Sequence, residues 1–194
     1  MTRWRMALML AACWLAACAP AAPTPLPPFL DEAAFPTEGL ATEPFTVQRA
    51  LAAFAKNDVQ VEIVLEADAA GLTILAATFT PLRAGFHLYS HALPREGING
   101  AGRPTRLDLP AEIALEPLGQ WSANQFTLED AVEGYSRPFL IYPEGPVTLR
   151  LPVRLTAARD AKATVFVTYM ACSSDQQCLP PVMDEPIALT LPRP

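Results

Sequence analysis

The sequence is poor in basic residues and in glycine. Its 194 residues include 14 Lys and Arg against 20 Asp and Glu, for a formal net charge of -6. The basic residues stand singly, so the chain lacks the positive surface that binds phosphates, and a nucleic-acid partner is excluded. Nine glycines accompany 21 prolines. Because proline interrupts helices, this balance argues against a helical bundle and favours short extended segments joined by rigid turns.

Several functional motifs are also missing. After the first 17 residues no segment offers eighteen consecutive apolar residues, so no transmembrane helix is predicted. The serines at 136, 173 and 174 have no Gly-x-Ser-x-Gly setting, which argues against hydrolytic catalysis. The stretch Gly97–Gly102 (GINGAG) lacks the strand-to-helix context of a phosphate loop, and we expect its glycines to make a turn. The sequence predicts no cofactor.

The first residues have the features of an export signal. Arg3 and Arg5 precede an apolar stretch from Met6 to Trp14, which is too short to span a bilayer. Leu15-Ala-Ala-Cys18 follows and resembles a bacterial lipobox. This resemblance predicts a signal peptide at 1–17 and a lipidated Cys18, with an ordinary secretory cleavage as the alternative. The expected location is the cell envelope, lipid-anchored and facing the periplasm or another extracytoplasmic space.

The next segment, 18–44, is predicted to be a tether. Seven prolines lie between Ala19 and Pro44 and keep the backbone extended. The folded domain is expected at 45–194. After cleavage before Cys18, that domain would keep two cysteines, Cys172 and Cys178, in a compartment where disulfides can form and persist.

From Val59 onward the sequence has the period of two that is typical of β-strands. Val59, Val61, Ile63 and Leu65 alternate with residues 60, 62, 64 and 66, which are mostly polar. Further strand-like segments lie at 72–80, 85–90, 105–109, 139–142, 147–155, 163–170 and 186–191. The pattern predicts an all-β fold, an immunoglobulin-like antiparallel β-sandwich, with a barrel as the alternative. Residues 45–56 fit a helix or a strand, and Pro152 indicates an edge strand or a bulge.

Five residues separate Cys172 from Cys178, and the pair follows a predicted strand. A disulfide between them requires a hairpin or a compact loop, which Ser173, Ser174 and Asp175 suit. Closing so short a loop contributes about 2 to 2.5 kcal/mol in the chain-entropy model. The spacing alone supports a passive staple and a redox-active pair equally. No Lys or Arg lies between 163 and 186 to lower a thiol pKa, so the pair alone is expected to be a sluggish nucleophile.

A resemblance favours the redox interpretation. Val167–Cys172 followed by Cys178–Pro181 (CLPP) resembles the end of the N-terminal domain of the DsbD family of thiol:disulfide interchange proteins. Gly85–Ser90, Ile141–Tyr142 and Val147–Val153 resemble earlier strands of that domain in the same order, so that the likeness covers about 59–192. It implies a sandwich that carries two electrons as dithiol and disulfide. Cys172 and Cys178 would be the redox pair, with Cys178 forming the mixed disulfides.

The resemblance also implies partners. These are a membrane thiol transporter of DsbD or CcdA type, as electron donor, and exported thioredoxin-like or disulfide-bearing proteins, with cytochrome c biogenesis as an implied process. Family members continue into membrane and thioredoxin-like domains, whereas this sequence stops at Pro194. We therefore expect separate proteins to supply those functions, with the lipid anchor keeping them on one surface. Family members also have an acidic and aromatic loop that caps the cysteines. The segment Leu128–Pro138 has acids and Tyr135 but no close match to that motif, so Tyr135 is the candidate cap residue, with packing at a loop edge as the alternative.

Two other classes of function fit the same residues. His87 and His91, with the two cysteines, are the right residue types for a Cys2His2 copper or zinc carrier. A strand histidine and a loop histidine of purely structural role are the simpler explanation, and no metal site is predicted. The other class is a structural or interaction lipoprotein whose disulfide is passive.

Overall fold

The computed structural model describes residues 47–67, 70–111, 113–156, 159–175 and 177–192. The predicted signal peptide, Cys18 and the tether lie outside these residues. The described ranges contain no helix able to cross a bilayer. They form thirteen β-strands and no α-helix. The strands are β1 Val47–Lys56, β2 Val59–Ala67, β3 Thr73–Pro81, β4 Phe86–Leu88, β5 Arg106–Asp108, β6 Leu115–Pro117, β7 Ser122–Ala123, β8 Leu128–Asp130, β9 Phe139–Ile141, β10 Val147–Leu155, β11 Ala161–Tyr169, β12 Ala171–Ser173 and β13 Val182–Leu191.

The first sheet is antiparallel and has the order β1-β2-β3-β10-β6, with β7 also paired to β10. Its inner face follows the alternation of the sequence, because Ile63, Ala77 and Leu149 lie side by side on neighbouring strands and are buried. The ambiguous residues 47–56 form β1. They pair with β2 through a turn at Asn57 and Asp58, both of which have positive φ, as a two-residue hairpin turn requires.

The second layer combines a three-stranded sheet with two short ribbons. The sheet has the order β13-β11-β5, and the ribbons are β12-β4 and β8-β9. The ribbons are joined, because Tyr142 donates its backbone N–H to the carbonyl of Leu88, and Ser90 donates to that of Leu140. The Thr105 N–H, just before β5, donates to the Tyr89 carbonyl, just after β4, so the cysteine pair belongs to an extension of the three-stranded sheet.

The main hydrophobic core lies between the two layers, and a second, smaller cluster of buried residues surrounds Cys172. Phe79 of β3 and Tyr169 of β11 meet edge to face with ring centroids 5.8 Å apart, and both side chains are buried. At one margin the layers are joined by the Tyr169 hydroxyl, which donates to the Lys56 carbonyl at 2.8 Å, and by the Lys56–Glu185 ion pair. The predicted all-β antiparallel fold is confirmed as a β-sandwich. The finer immunoglobulin-like assignment stays a prediction.

The prediction of an edge strand or bulge at Pro152 is wrong. β10 is an inner strand, and its register with β3 continues without a shift through the pair Pro152–Ile74. On its other side, β10 pairs with β7 before the proline and with β6 after it. A residue's N–H and C=O point to the same side of a strand, and the Pro152 carbonyl accepts from Leu118 on this second side. The N–H that Pro152 lacks would therefore point to the place where the strand beside β10 changes from β7 to β6.

Candidate functional site

Cys172, the central residue of β12, is joined to Cys178 by a disulfide. They face each other across a tight hairpin, with Cα atoms 4.0 Å apart. Backbone hydrogen bonds flank the pair on both sides, from Ser173 N–H to the Gln177 carbonyl and from Leu179 N–H to the Ala171 carbonyl, each 2.9 Å long. The cysteines thus occupy a non-hydrogen-bonded position, where opposite side chains come closest.

The two cysteines differ in exposure. Cys172 is 2% exposed, because β12 pairs with β4 and places Cys172 opposite His87. Cys178 is exposed, and the exposed residues Pro180 and Pro181 follow it. Prolines have no N–H to offer to a further strand, so the sheet ends here and the second cysteine stays open to solvent. Cys172 therefore belongs to the interior of the layer and Cys178 to its edge.

Aromatic side chains pack around the buried cysteine. The Tyr89 hydroxyl lies 3.3 Å from Cys172 Sγ within hydrogen-bonding range, and the ring of Tyr89 packs on Phe139 with centroids 5.6 Å apart. Tyr135, the candidate cap residue, packs on Phe139 from another direction at 4.9 Å. The structure therefore brings Tyr135 and the cysteine pair to one site. Tyr135 contributes to its wall, and its predicted role as a cap stays a prediction.

These residues border a cavity of about 380 Å³. Its walls come from β4, the turn at 100–103, the segment 130–139, Met170 to Ser173, and the edge at Cys178 and Pro181. The site also includes Arg103 and Asp130, which the sequence reasoning missed. Arg103 comes directly after the glycine-rich stretch that was excluded as a phosphate loop. A single arginine in a turn forms no sequence motif that predicts a site. Only the fold places Arg103 beside the disulfide.

The turn that carries Arg103 is held by its own backbone. Ile98 and Ala101 exchange two backbone hydrogen bonds, of 2.9 and 3.0 Å, as expected for the turn that the glycines predicted. The Arg103 guanidinium donates through Nη1 to the carbonyl oxygens of Glu96, Gly100 and Gly102. Arg103 thus closes the turn and fixes this wall of the cavity.

Burial keeps two ionisable groups beside Cys172, those of His87 and Tyr89, neutral. Burial lowers the pKa of His87 below its usual 6.5, opposed by the charges of Asp130 and Glu144. Burial raises the pKa of Tyr89 above 10, and the Asp130 charge acts in the same direction. At neutral pH, His87 is therefore an imidazole and Tyr89 a phenol whose O–H can donate to sulfur.

The residues of the alternative metal site are not brought together. His87 borders the cavity, whereas His91 binds elsewhere, with Nδ1 2.6 Å from the Tyr142 hydroxyl and its ring stacked on Tyr142. The cysteine sulfurs are bonded to each other. Within the part of the chain that the structure describes, no group of three or more His, Cys, Asp or Glu side chains is placed to hold a metal ion.

Fold and site together define an antiparallel β-sandwich with a half-exposed disulfide beside an aromatic-lined cavity. Comparison of the sequence with protein-family models and with curated proteins finds no match to either.

Proposed function

We propose that the protein exchanges its Cys172–Cys178 disulfide with thiols and disulfides of exported partners. The observation that carries this proposal is the division of roles between the two sulfurs. Cys178 is exposed at a sheet edge, and Cys172 is buried within 3.3 Å of a phenol hydroxyl. A nucleophile can reach one sulfur, while the other is placed to leave. The sequence resemblance to the N-terminal domain of DsbD proteins supports the same reaction.

The exchange proceeds in two steps. A partner thiolate attacks Cys178 Sγ, forms a mixed disulfide there, and breaks the bond to Cys172. The electron pair of the broken bond goes to Cys172 Sγ, where the Tyr89 O–H can donate a hydrogen bond to the developing thiolate. A second thiolate of the partner attacks the partner sulfur that is bonded to Cys178, forms a disulfide with it and releases Cys178 as a thiolate. In the opposite direction, Cys178 attacks a partner disulfide.

The setting that we propose is the extracytoplasmic face of a membrane. A lipid on Cys18 and the proline-rich tether would hold the domain near a membrane thiol transporter of DsbD or CcdA type. Exported thioredoxin-like or disulfide-bearing proteins would be the partners at the other end. An anchor raises the effective concentration of proteins that share a surface, so separate chains can work together without covalent fusion.

The first test is the reduction potential of the disulfide. The protein is equilibrated in glutathione and dithiothreitol buffers, its free thiols are alkylated, and the oxidised and reduced fractions are counted by mass. We expect a potential above about -300 mV, since passive structural bridges typically lie below that value. A bridge that resists every glutathione buffer would support a passive staple and contradict the proposal.

The second test is partner capture in the native host. Cys172→Ala leaves the exposed Cys178 to form mixed disulfides that no neighbouring thiol can resolve, so we expect covalent complexes on non-reducing gels. The double variant Cys172→Ala/Cys178→Ala is the matched control and captures nothing. If the disulfide of the unmodified protein is reducible but Cys172→Ala captures no partner, the proposal that exported proteins are its substrates is wrong.

A further inference from the structure

The cavity beside the disulfide carries one fixed charge of each sign. Arg103 and Asp130 border it together with Cys178, and the rest of its lining includes the apolar surfaces of Val132, Phe139 and Met170. A pocket of about 380 Å³ lies within the range of roughly 300 to 1,000 Å³ that small-molecule sites occupy. Apolar walls with a few fixed polar groups are the usual composition of such sites.

Arg103 has hydrogen-bonding capacity that the protein leaves unused. Nη1 is engaged by the carbonyls of its own turn, but Nε is buried and finds no acceptor within the described part of the chain. A buried donor without an acceptor is rare and unfavourable in folded proteins. Carboxylates are the natural acceptors for a guanidinium, because its donors match their two oxygens. Because Nε is closed to solvent, an outside carboxylate would be received by the part of Arg103 that borders the cavity.

We propose that this cavity binds low-molecular-weight thiols that carry a carboxylate, and that cysteine-like zwitterions are its best substrates. Arg103 receives the carboxylate, Asp130 favours molecules that also carry an ammonium group, and the thiol reaches Cys178. This inference rests on the proposed exchange reaction and names a substrate class for it. A small molecule fits the concave site directly, whereas a folded partner would have to insert a protruding cysteine.

The reaction of such a thiol balances without a further reagent. The first thiolate attacks Cys178 Sγ, the bond between the two cysteines breaks, and Cys172 takes up the electron pair and a proton from solvent. The second thiolate attacks the sulfur of the first molecule, and Cys178 leaves as a thiolate. Two thiols are oxidised to one small disulfide, and the protein disulfide is reduced to two thiols.

The test compares four thiols on the full-length protein. Cysteine carries both a carboxylate and an ammonium group, and 3-mercaptopropionate carries the carboxylate alone. Cysteamine carries the ammonium group alone, and 2-mercaptoethanol carries neither. Each rate of disulfide reduction is divided by the rate for the oxidised peptide 171–179, which removes the intrinsic reactivity of the thiol. We expect this ratio to be about tenfold higher for 3-mercaptopropionate than for 2-mercaptoethanol, and highest for cysteine.

Variants locate the preference. Arg103→Gln should abolish the advantage of the carboxylated thiols, and Arg103→Lys should keep part of it. Arg154→Gln is the matched control, because it changes the net charge by the same amount as Arg103→Gln. Arg154 is exposed and pairs with Glu116 on the opposite sheet. Asp130→Asn should remove the advantage of cysteine over 3-mercaptopropionate. The thiol series on the unmodified protein does not depend on how these variants fold.

The outcomes separate this inference from the proposed function. Equal ratios for carboxylated and uncarboxylated thiols on a readily reduced protein would overturn this inference and leave the exchange reaction in place. Equal loss of the preference in Arg103→Gln and Arg154→Gln would also overturn it, because the effect would then be general electrostatic attraction. A protein disulfide that none of the four thiols reduces, while all of them reduce the peptide, would overturn both.

Discussion

The hydroxyl of Tyr89 lies 3.3 Å from the sulfur of Cys172, and both side chains are buried. The pairing of β4 with β12 produces this contact, because it sets Cys172 opposite His87, two residues before Tyr89. The oxygen can act as a donor to sulfur, since burial keeps the phenol protonated. The Tyr89 hydroxyl is thus a polar group in direct contact with the buried sulfur of Cys172. Removing this hydroxyl tests the chemistry of the site.

Tyr89→Phe should slow reduction of the disulfide. The substitution keeps the ring packing on Phe139 and removes the hydrogen bond to the leaving sulfur. Hydrogen bonds to charged groups contribute about 1.5 to 3 kcal/mol, which corresponds to a rate lower by roughly 10- to 150-fold. The measurement is the second-order rate constant with dithiothreitol. Tyr142→Phe is the control, since it also removes a buried hydroxyl but one that contacts His91. An unchanged rate in Tyr89→Phe would show that the contact does not assist the leaving group.

Tyr135→Ala should open the cavity. Tyr135 packs on Phe139 and contributes a wall beside the disulfide, so its removal widens the approach to Cys178. We expect reduction by a bulky phosphine to accelerate several-fold, with a smaller change for 2-mercaptoethanol. Phe126→Ala is the control, because Phe126 is 67% exposed and does not border the cavity. Equal rates with both reductants in Tyr135→Ala and the unmodified protein would assign Tyr135 to packing alone.

The protein should lose stability as the pH falls below 6.5. Burial lowers the pKa of His87 and of His91 in the folded state, whereas the unfolded chain titrates near 6.5. Unfolding therefore takes up protons in this range, so stability is complete above pH 6.5 and is lost as the pH falls through the folded-state pKa. The check is the thermal midpoint at pH 7.5, 6.5 and 5.5, with His87→Gln expected to show a smaller decrease. A midpoint that stays constant over this range would contradict the shift.

Two glycines of one turn should differ in their tolerance of alanine. At Gly97, with φ of +77°, an added Cβ would lie 1.9 Å from the carbonyl oxygen of Ala101. At Gly100, with φ of +82°, it would meet nothing within 4 Å. Gly100→Ala should therefore cost only the backbone strain of about 1 to 2 kcal/mol. Gly97→Ala should cost more, because the turn that carries Arg103 must also move. Urea unfolding of both variants measures the difference, and equal losses would contradict the clash with the Ala101 carbonyl oxygen.

The sequence correctly predicted the features that depend on the local alternation of apolar and polar residues. The inward residues of β2, such as Val61 and Ile63, are buried as the period of two required. Residues 47–56 could not be assigned, because a short stretch of small and apolar residues fits a helix and a strand alike, and pairing with β2 decides the outcome. Pro152 was misjudged because the change of neighbour from β7 to β6 depends on a segment more than 25 residues away.

The site was predictable only in part. The cysteines stand out by residue type and spacing, and Tyr135 by resemblance. The contact of Tyr89 with Cys172 depends on the register of two three-residue strands that are far apart in the sequence. Arg103 reaches the cavity because its turn folds back against Tyr89, Leu93 and Phe139, which lie closest to Gly102. Such tertiary contacts leave no periodic or spacing signal in a single sequence.

The hairpin around the cysteines has a consequence for any molecule that must distinguish its two redox forms. Backbone hydrogen bonds on both sides of the pair do not involve sulfur, so we expect the loop to keep its outline when the bridge opens. A binder that reads shape would meet nearly the same surface before and after electron transfer. Discrimination would have to come from covalent contact with the sulfur atoms themselves.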